Sequence, residues 1–432
     1  VFDNYHEIPP ESSFHEVFKS GLAGISPDIH VIILSRTTPP QAFAGLFANK
    51  VIRIIGPKKL TLSLEESREL IQIETGEKLP PDVMKHVYEK TRGWAAGLVL
   101  MGSSVEKGNI HSFPAEEFIP ESIFGYFASE LFDKMNENFK DFLLKTAFLP
   151  RMTVSIARRL TGMNDASKIL SFLNSNHLFT GTFPAPVREY EYHPLFREFL
   201  KSRAENRFHQ EEVRLLKQKS AILLKEAGHF EDAVELFSES EDYENLITVV
   251  LDQATQLVSQ GRHKTLEQWI LKIPEEIVQK EPWLLYWLGV SCLHLIASDA
   301  RKYLEKALKL FKLQDDITGL CLAWASIIES ITFEWNDFTE LDPWLDWFDK
   351  HILPSLTFPS AEIEVRVSLS RLSGLIIRRP NHPDLPLLLE ETLTKSREIG
   401  NVALYMQTVS WALTYYAWIG DFAKTDVMRA RS

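Results

Sequence analysis

Short apolar runs and one amphipathic stretch alternate over the first 60 residues. Two β-branched runs, 29–34 and 51–55, have the composition of strands buried on both faces of a sheet, and Val1-Phe2 has the character of the end of another strand. A helical pattern of apolar residues separates Val1-Phe2 from the run at 29–34. Because strand, crossover helix and strand in this order form a parallel pair, the pattern predicts part of a parallel α/β sheet.

Helical periodicity dominates from residue 61 to about 200. Ser63 and Glu66 have the spacing of a capping box, which predicts that a helix begins directly after Ser63. Two short β-type runs around Pro184 and Pro186 follow the helices, and helices followed by a β-hairpin indicate a winged-helix unit. The predicted helices span about 63–73, 81–91, 120–134, 137–147, 154–161 and 168–175, with a polar linker at about 104–118 and the hairpin at 178–192.

Paired amphipathic helices fill the chain from about residue 205. The run from Ala227 to Phe237 has the small-residue and aromatic spacing of a tetratricopeptide (TPR) unit, and Gly420 begins a similar one. The recurrence predicts a TPR-like α-solenoid. The second helices of the pairs are predicted to begin near residues 231, 264, 299, 338, 385 and 422.

Composition narrows the class of protein. A chain of 432 residues, with 45% hydrophobic and 25% charged residues, has the balance of a folded protein of about three domains. Cys292 and Cys321 are its only cysteines, which excludes a disulfide framework and a cysteine-built zinc site and favours a cytoplasmic location. The net charge of −12 makes the chain a poor candidate for gripping nucleic acid.

The ends of the chain and its apolar runs add two expectations. No run of about 18 apolar residues and no signal peptide are apparent, so no membrane span is expected. The chain begins at Val1 inside a strand pattern and stops inside a helix pattern, which favours an interior segment of a longer protein.

Two polar residues follow the predicted parallel strands. Asp3 comes after Val1-Phe2 in the manner of a Walker B acid, which holds a magnesium-bound water beside nucleotide phosphates. Arg36 follows the next strand and would face the same crevice, since ligands bind beyond the carboxyl ends of parallel strands. The alternatives are an aspartate that caps a turn and a solvated loop arginine.

These segments resemble a known family. Residues 2–8 and 31–40, with Thr91 to Leu98, Phe142 to Ala147 and Tyr192 to Leu200, are similar in order and sequence to the STAND-class signal-transduction ATPases. The similarity is to the branch of the maltose-regulon activator and related bacterial transcriptional regulators, and 265–287 resembles that branch's repeat domain.

The resemblance implies a division into four parts and a mainly α, multidomain fold. These parts are the C-terminal part of a P-loop NTPase α/β domain (1–60), a helical lid (61–105), a winged helix (106–204) and the TPR-like sensor (205–432).

The resemblance also implies an ATP/ADP site with magnesium. Asp3 would be the magnesium acid, Arg36 the sensor of the terminal phosphate, and His193 a ligand of the β-phosphate that favours the closed, diphosphate-bound state. Asn4 stands where the family often has a second acid, which indicates slow hydrolysis. No G-x-x-x-x-G-K-[ST] sequence occurs, so the phosphate-binding loop is expected upstream of Val1. The alternative for His193 is a half-buried residue that precedes a helix, with Pro194 in the first turn.

The predicted function is therefore that of an ATP/ADP-switched regulator. An inducer or partner protein on the helical repeats would favour self-association and recruit a DNA-binding output domain outside this chain. The aromatic and acidic stretch 333–347, with Trp335 and Trp344, is the candidate partner site, and a packing corner with solvated acids is the alternative. The alternative for the whole chain is a non-catalytic helical-repeat scaffold. Arginines near the hairpin, among them Arg151 and Arg159, more often form a solvated face than a DNA contact.

Overall fold

The computed structural model divides the chain into two compact units, Val1–Leu236 and Phe237–Ser432. The protein is mainly α, as predicted, and the division at residues 60, 105 and 204 stays a prediction. Asn4, Arg36, the linker predicted at 104–118 and most of the helix predicted at 120–134 lie outside the described residues. Those residues are 1–3, 5–26, 29–35, 38–76, 78–95, 97–99, 132–133, 135–175, 180–183, 187–293 and 295–429.

The first 60 residues contain a parallel bridge with a crossover helix. Phe2 pairs in parallel with Ile33: the Phe2 amide donates to the carbonyl of Ile32, and the Leu34 amide donates to the carbonyl of Phe2, each at 2.8 Å. This pairing confirms the predicted parallel arrangement. The helices of this part are α1 (Phe14–Ala23), α2 (Ala44–Ala48) and α3 (Pro57–Leu60).

Two details of the predicted sheet are wrong. The run 29–34 was expected to be buried on both faces, but Ile29 and Ile32 are more than half exposed. The run 51–55 forms no strand with any other described segment, and the Val51 amide donates instead to the carbonyl of Leu46 in α2. A β-branched sequence becomes a buried strand only where neighbouring strands pair with it and helices cover it. Among the described residues, the run 29–34 pairs only at the Phe2–Ile33 bridge, and the run 51–55 pairs with no strand.

A helical hairpin follows, made of α4 (Leu64–Thr75) and α5 (Pro81–Thr91). Ser63 and Glu66 form the predicted capping box: the Ser63 amide donates to Glu66 Oε2 at 2.7 Å, and the Glu66 amide donates to Ser63 Oγ at 3.3 Å. The hairpin packs around a small apolar core of Ile71, Leu79, Met84, Val87 and Leu98.

Residues 137–207 have the helices and the antiparallel hairpin of a winged helix. The hairpin pairs Thr180 with Tyr192, and Tyr190 and Met152 exchange two backbone hydrogen bonds of 2.8 Å that extend it on the other side. Each predicted element from 137 onward is present. The elements are α6 (Glu137–Thr146), α7 (Val154–Thr161), α8 (Ala166–Ser175), β1 (Thr180–Phe183), β2 (Glu189–Tyr192) and α9 (Pro194–Arg207), followed by α10 (Gln210–Glu226) and α11 (Phe230–Glu239).

The second unit consists of consecutive helices that pack on one another. The second helices of the pairs begin within three residues of the predicted positions. Close approach is visible at Gly319, where a Cβ would lie 2.3 Å from the Phe311 ring. The helices are α12 (Tyr243–Ser259), α13 (His263–Ile270), α14 (Glu275–Val278), α15 (Pro282–Cys292), α16 (Ala297–Leu313), α17 (Ile317–Glu334), α18 (Leu341–His351), α19 (Ala361–Arg378), α20 (Leu385–Ile399), α21 (Val402–Trp418) and α22 (Phe422–Arg429).

Among the described residues, a single helix, α17, is long and apolar enough to cross a membrane by length and composition. Its mean hydropathy is 1.3. The sequence pattern predicted no such helix. Its apolar window is 67% buried, and α17 packs against α16 and α19. A buried core helix of this kind passes the same length and composition test as a membrane span.

Candidate functional site

Two of the family-like motifs meet where the α4–α5 hairpin contacts the winged helix. The C-terminal end of α5 and the turn after it bring Thr91, Arg92 and Trp94 against Glu191 and His193, which end β2 and precede α9. We call these five residues the lid–wing joint. Sequence reasoning had singled out His193 and the lid motif without predicting that they touch.

His193 is the centre of the joint. Its Nε2 lies 3.1 Å from the backbone carbonyl oxygen of Thr91, and its ring makes an edge contact with Trp94 at 6.2 Å between centroids. A carbonyl oxygen can only accept, so Nε2 carries the proton of the neutral imidazole. Burial lowers the pKa of His193. The hydrogen bond to Thr91 raises this pKa in part, and the nearby Arg92 charge lowers it further. The ring is therefore a neutral donor at pH 7, held between the two motifs.

An ion pair between Arg92 and Glu191 closes the joint beside His193. Arg92 and Gly93 both adopt left-handed backbone conformations, with φ of 48° and 74°, and this turn aims the arginine at β2. A Cβ on Gly93 would lie 2.0 Å from the carbonyl oxygen of Leu62, whose amide in turn donates to the Gly93 carbonyl at 2.9 Å. Glycine is thus required at position 93 by both conformation and space.

The motif around His193 is anchored in the winged-helix core. The buried Tyr192 hydroxyl lies 2.7 Å from Thr146 Oγ1, and the Thr146 hydroxyl donates to the Phe142 carbonyl at 2.7 Å. Arg197 Nε donates to the carbonyl of Ala147 at 3.1 Å, at the end of α6. Burial raises the pKa of Tyr192 well above its ordinary value, so the phenol stays protonated. The position of His193 therefore depends on contacts between segments about 50 residues apart.

Asp3, the predicted magnesium ligand, lies within the described residues. Its carboxylate is exposed and follows Phe2 at the end of the parallel bridge. The part of the chain that the structure describes contains no group of three or more side chains able to hold a metal ion, and the sequence has no phosphate-binding loop. These residues therefore do not fit a complete magnesium–nucleotide site, and the roles of Asp3, Asn4, Arg36 and His193 stay predictions.

The stretch 333–347 has a different character from the one that the sequence suggested. Four of its five acids are paired with arginines of neighbouring helices, and the fifth, Asp337, accepts hydrogen bonds from Thr339, so their crowding does not by itself indicate a ligand. The pairs are Arg378–Asp342 and Arg379–Asp346, each at 2.7 Å, and Arg301 with Glu334 and Glu340.

The aromatic residues of this stretch differ in exposure. Trp335 is 76% exposed, adopts a left-handed conformation with φ of 47°, and contacts the Phe338 ring edge-on. Trp344 is half-buried, and its carbonyl accepts a hydrogen bond of 3.0 Å from Trp324 Nε1. The Trp335 side chain is therefore exposed enough to contact a partner, whereas the Trp344 side chain is partly packed within the protein.

Sequence reasoning missed the salt-bridged residues of the joint. Arg92 directly precedes Gly93, and Glu191 alternates along β2 with buried tyrosines. Neither pattern in the sequence indicates that Arg92 and Glu191 form an ion pair. Near the wing, Arg159 pairs with Glu226 at 2.5 Å and Arg151 lies 3.9 Å from both Glu189 and Asp232. These pairs support the interpretation that the basic residues near the hairpin form a solvated, charge-balanced face.

Comparison with known proteins supports the resemblance. Residues 128–213 match the family described as the MalT winged helix domain. The HTH-type transcriptional regulator MalT of Vibrio cholerae is 24% identical over 300 residues, which cover 67% of this chain and 33% of that protein. MalT of Yersinia enterocolitica is 24% identical over 298 residues, with the same two coverages. The matched part thus spans about a third of the length of these relatives.

Among solved structures, a STAND protein with a tetratricopeptide repeat sensor from Pyrococcus horikoshii is 16% identical, with a TM-score of 0.34, over 92% of this chain and 65% of that one. The sequence matches confirm the similarity to the maltose-regulon activators that the motifs indicate. Residues 128–213 are thus similar to the MalT winged helix domain, in a chain that resembles MalT-like regulators over two thirds of its length.

Proposed function

We propose that the chain is the switching and sensing core of an ATP/ADP-controlled, cytoplasmic transcriptional regulator. In this proposal the closed state carries ADP, and an inducer or partner protein on the helical repeats favours an open, self-associating state. DNA is bound through an output domain outside this chain. The support is the match to the MalT winged helix domain and to proteins named as HTH-type transcriptional regulators.

The observation that carries the proposal is the position of His193. It is a neutral, half-buried imidazole at the start of α9, and its Nε2 is hydrogen-bonded to the carbonyl of Thr91, the last residue of α5. A group that connects the lid hairpin to the winged helix is well placed to report whether these parts are closed. A purely structural scaffold does not require a titratable residue at such a contact.

The proposal is tested by two substitutions in the intact regulator. We expect His193→Ala to weaken the closed state and raise output without inducer, and Asp3→Ala to abolish output because magnesium–triphosphate binding is impaired. His209→Ala is the matched control, since His209 precedes α10 as an exposed residue and should leave output unchanged. Equal loss of output in the His193 and Asp3 variants, with normal folding of both, would favour a purely structural role for His193.

A second test uses the chain alone. Most phosphate contacts in a P-loop site come from backbone amides and the lysine of a loop that this sequence lacks. Calorimetric titration with ATP and magnesium should therefore show no binding in the micromolar range. A tight, saturable isotherm would contradict the assignment of Asp3 to an incomplete site.

The partner site is proposed at Trp335 and Trp344. Trp335→Leu should abolish induction without changing the melting temperature, because this side chain is largely exposed. Trp344→Leu should reduce induction and also lower stability, because the ring is half-buried and packs edge-on against Trp347. Trp418→Leu, another exposed tryptophan in α21, serves as the control. Normal induction in the Trp335 variant would remove this surface from the proposal.

A further inference from the structure

We propose that β2 couples the first helical repeat to the lid hairpin through a network of charged and polar side chains on one face of the strand. The network joins Arg92 to Glu191 on the lid side and joins Glu189 to Arg151 and His229 on the repeat side. This inference rests on the proposed function for its biological meaning, but its physical content is independent of nucleotide, inducer and output.

The two carboxylates occupy alternate positions of a strand. Glu189 and Glu191 lie on one face of β2, each 17% exposed, while Tyr190 and Tyr192 are buried on the other face. Alternate residues of a strand are about 6.6 Å apart, so the two carboxylates are close enough to influence each other's partners. The interaction between half-buried charges is screened less by salt than the interaction between fully exposed charges.

Glu189 faces the turn between α10 and α11. Its Oε1 lies 3.4 Å from Nε2 of His229, in the turn between α10 and α11, and its Oε2 lies 3.9 Å from Arg151. Arg151 also lies 3.9 Å from Asp232, in the first turn of α11. The turn that begins the first TPR-like pair therefore contacts β2 through a carboxylate.

Glu191 faces the lid. Its carboxylate pairs with Arg92, whose left-handed backbone conformation directs the guanidinium towards β2. The strand between the two carboxylates is held as a unit, because Tyr190 exchanges two hydrogen bonds with Met152 and the strand pairs with β1 along its length. A displacement of β2 at Glu189 is therefore transmitted along the backbone to Glu191.

The structure assigns a specific route to this coupling. A shift of the α10–α11 turn changes the contacts of Glu189, which alters the position of β2 and the strength of the Arg92–Glu191 pair. The same strand leads directly into His193, so the route ends at the lid–wing joint. Salt-bridge networks and secondary-structure elements that are contacted from both sides can carry energetic coupling between distant sites.

Hydrogen–deuterium exchange of the 432-residue chain, without nucleotide, tests the route. Glu189→Gln and His229→Gln each remove a charge or partner on the repeat side while leaving the lid untouched. We expect amide exchange in the lid segment 81–92 to become about threefold to fivefold faster, the range for losing a partly exposed ion pair that contributes to local stability. Glu191→Gln, which breaks the lid contact directly, sets the upper limit.

Glu226→Gln is the matched control. It breaks the Arg159–Glu226 pair, which joins the winged helix to the same helix α10 without involving β2. Exchange at 81–92 should be unchanged in this variant. If Glu189→Gln and His229→Gln accelerate exchange near 226–236 while 81–92 keeps wild-type rates, the coupling through β2 is wrong.

The charge reversal Arg92→Glu with Glu191→Arg provides a second measurement. The double variant should restore slow exchange at 81–92 relative to either single reversal, and restored sensitivity to Glu189→Gln would support the route. No recovery, in a chain whose second unit keeps its normal exchange, would contradict the ion pair as the lid-side contact. Since the assay measures no output, a failed regulator function leaves these results unaffected.

Discussion

The buried hydrogen bond between Tyr192 and Thr146 allows a quantitative test of how the winged-helix core positions His193. Thr146 has one hydroxyl hydrogen, and geometry allows it to donate to the Phe142 carbonyl at 2.7 Å. Tyr192 then donates to Thr146 Oγ1, also at 2.7 Å. Tyr192→Phe therefore removes a donor and leaves an acceptor unfilled, whereas Thr146→Val leaves a buried phenol without its acceptor.

The two substitutions should lower the free energy of local unfolding by different amounts. Removing one hydrogen bond costs about 1 kcal/mol, so Tyr192→Phe should lower local stability by about that amount. Thr146→Val leaves a buried donor unsatisfied and should cost about 2–3 kcal/mol. The double variant replaces both polar groups with apolar ones, and its cost should be close to that of Tyr192→Phe and about 2–3 kcal/mol less than the sum of the single variants.

Native-state hydrogen exchange of α6 and α9 is the appropriate assay. Nine of the ten tryptophans lie beyond residue 268, so tryptophan fluorescence reports mainly on the second unit. Exchange should become about fivefold faster in Tyr192→Phe and about 30-fold to 150-fold faster in Thr146→Val, if opening is at equilibrium. Equal effects of the two single variants, with additive free energies in the double variant, would refute the proposed direction of donation.

Three further predictions concern single residues. Because the pKa of His193 is lowered in the folded state, the folded state binds fewer protons than the unfolded state. The protection of the amides of 81–92 from exchange should therefore be fully present above about pH 6.5 and fall as the pH drops below it. In hydrogen-exchange measurements, His193→Gln should remove this pH dependence. Gly93→Ala should destabilise the lid hairpin by about 2–4 kcal/mol in the same assay, because its Cβ would meet the Leu62 carbonyl, whereas Gly76→Ala, at the same φ in open space, should cost only about 1 kcal/mol. Burial raises the pKa of Glu329, so ionisation of this carboxyl opposes folding as the pH rises, and Glu329→Gln should raise the melting temperature more at pH 7 than at pH 4.5; a gain that is largest at pH 4.5 would contradict the sign.

Local features of the fold follow from the sequence alone. The capping box at Ser63 and Glu66, the hairpin after the prolines and the starts of the second helices each depend on interactions within a few residues of one another. The parallel pairing of Phe2 with Ile33 also follows, because the connection between them leaves only one common topology. The family resemblance likewise depends on short motifs whose order can be read directly.

The partners of charged and polar side chains were decided by the tertiary structure. Arg92 and Glu191 are 99 residues apart in the chain, and Thr146 and Tyr192 are 46 apart, so no periodicity connects them. The same holds for four of the five acids of 333–347, which seemed crowded in sequence but each pair with an arginine of another helix.

Burial was decided in the same way. The runs 29–34 and 51–55 have strand-like composition, yet their exposure depends on which neighbours cover them, and composition does not contain that information. Sequence determines the local conformational preferences of each segment, whereas the long-range packing that brings segments together determines which side chains meet and which remain in water. For this protein the sequence was sufficient to single out His193, and only the folded chain showed that Thr91, Arg92 and Glu191 surround it.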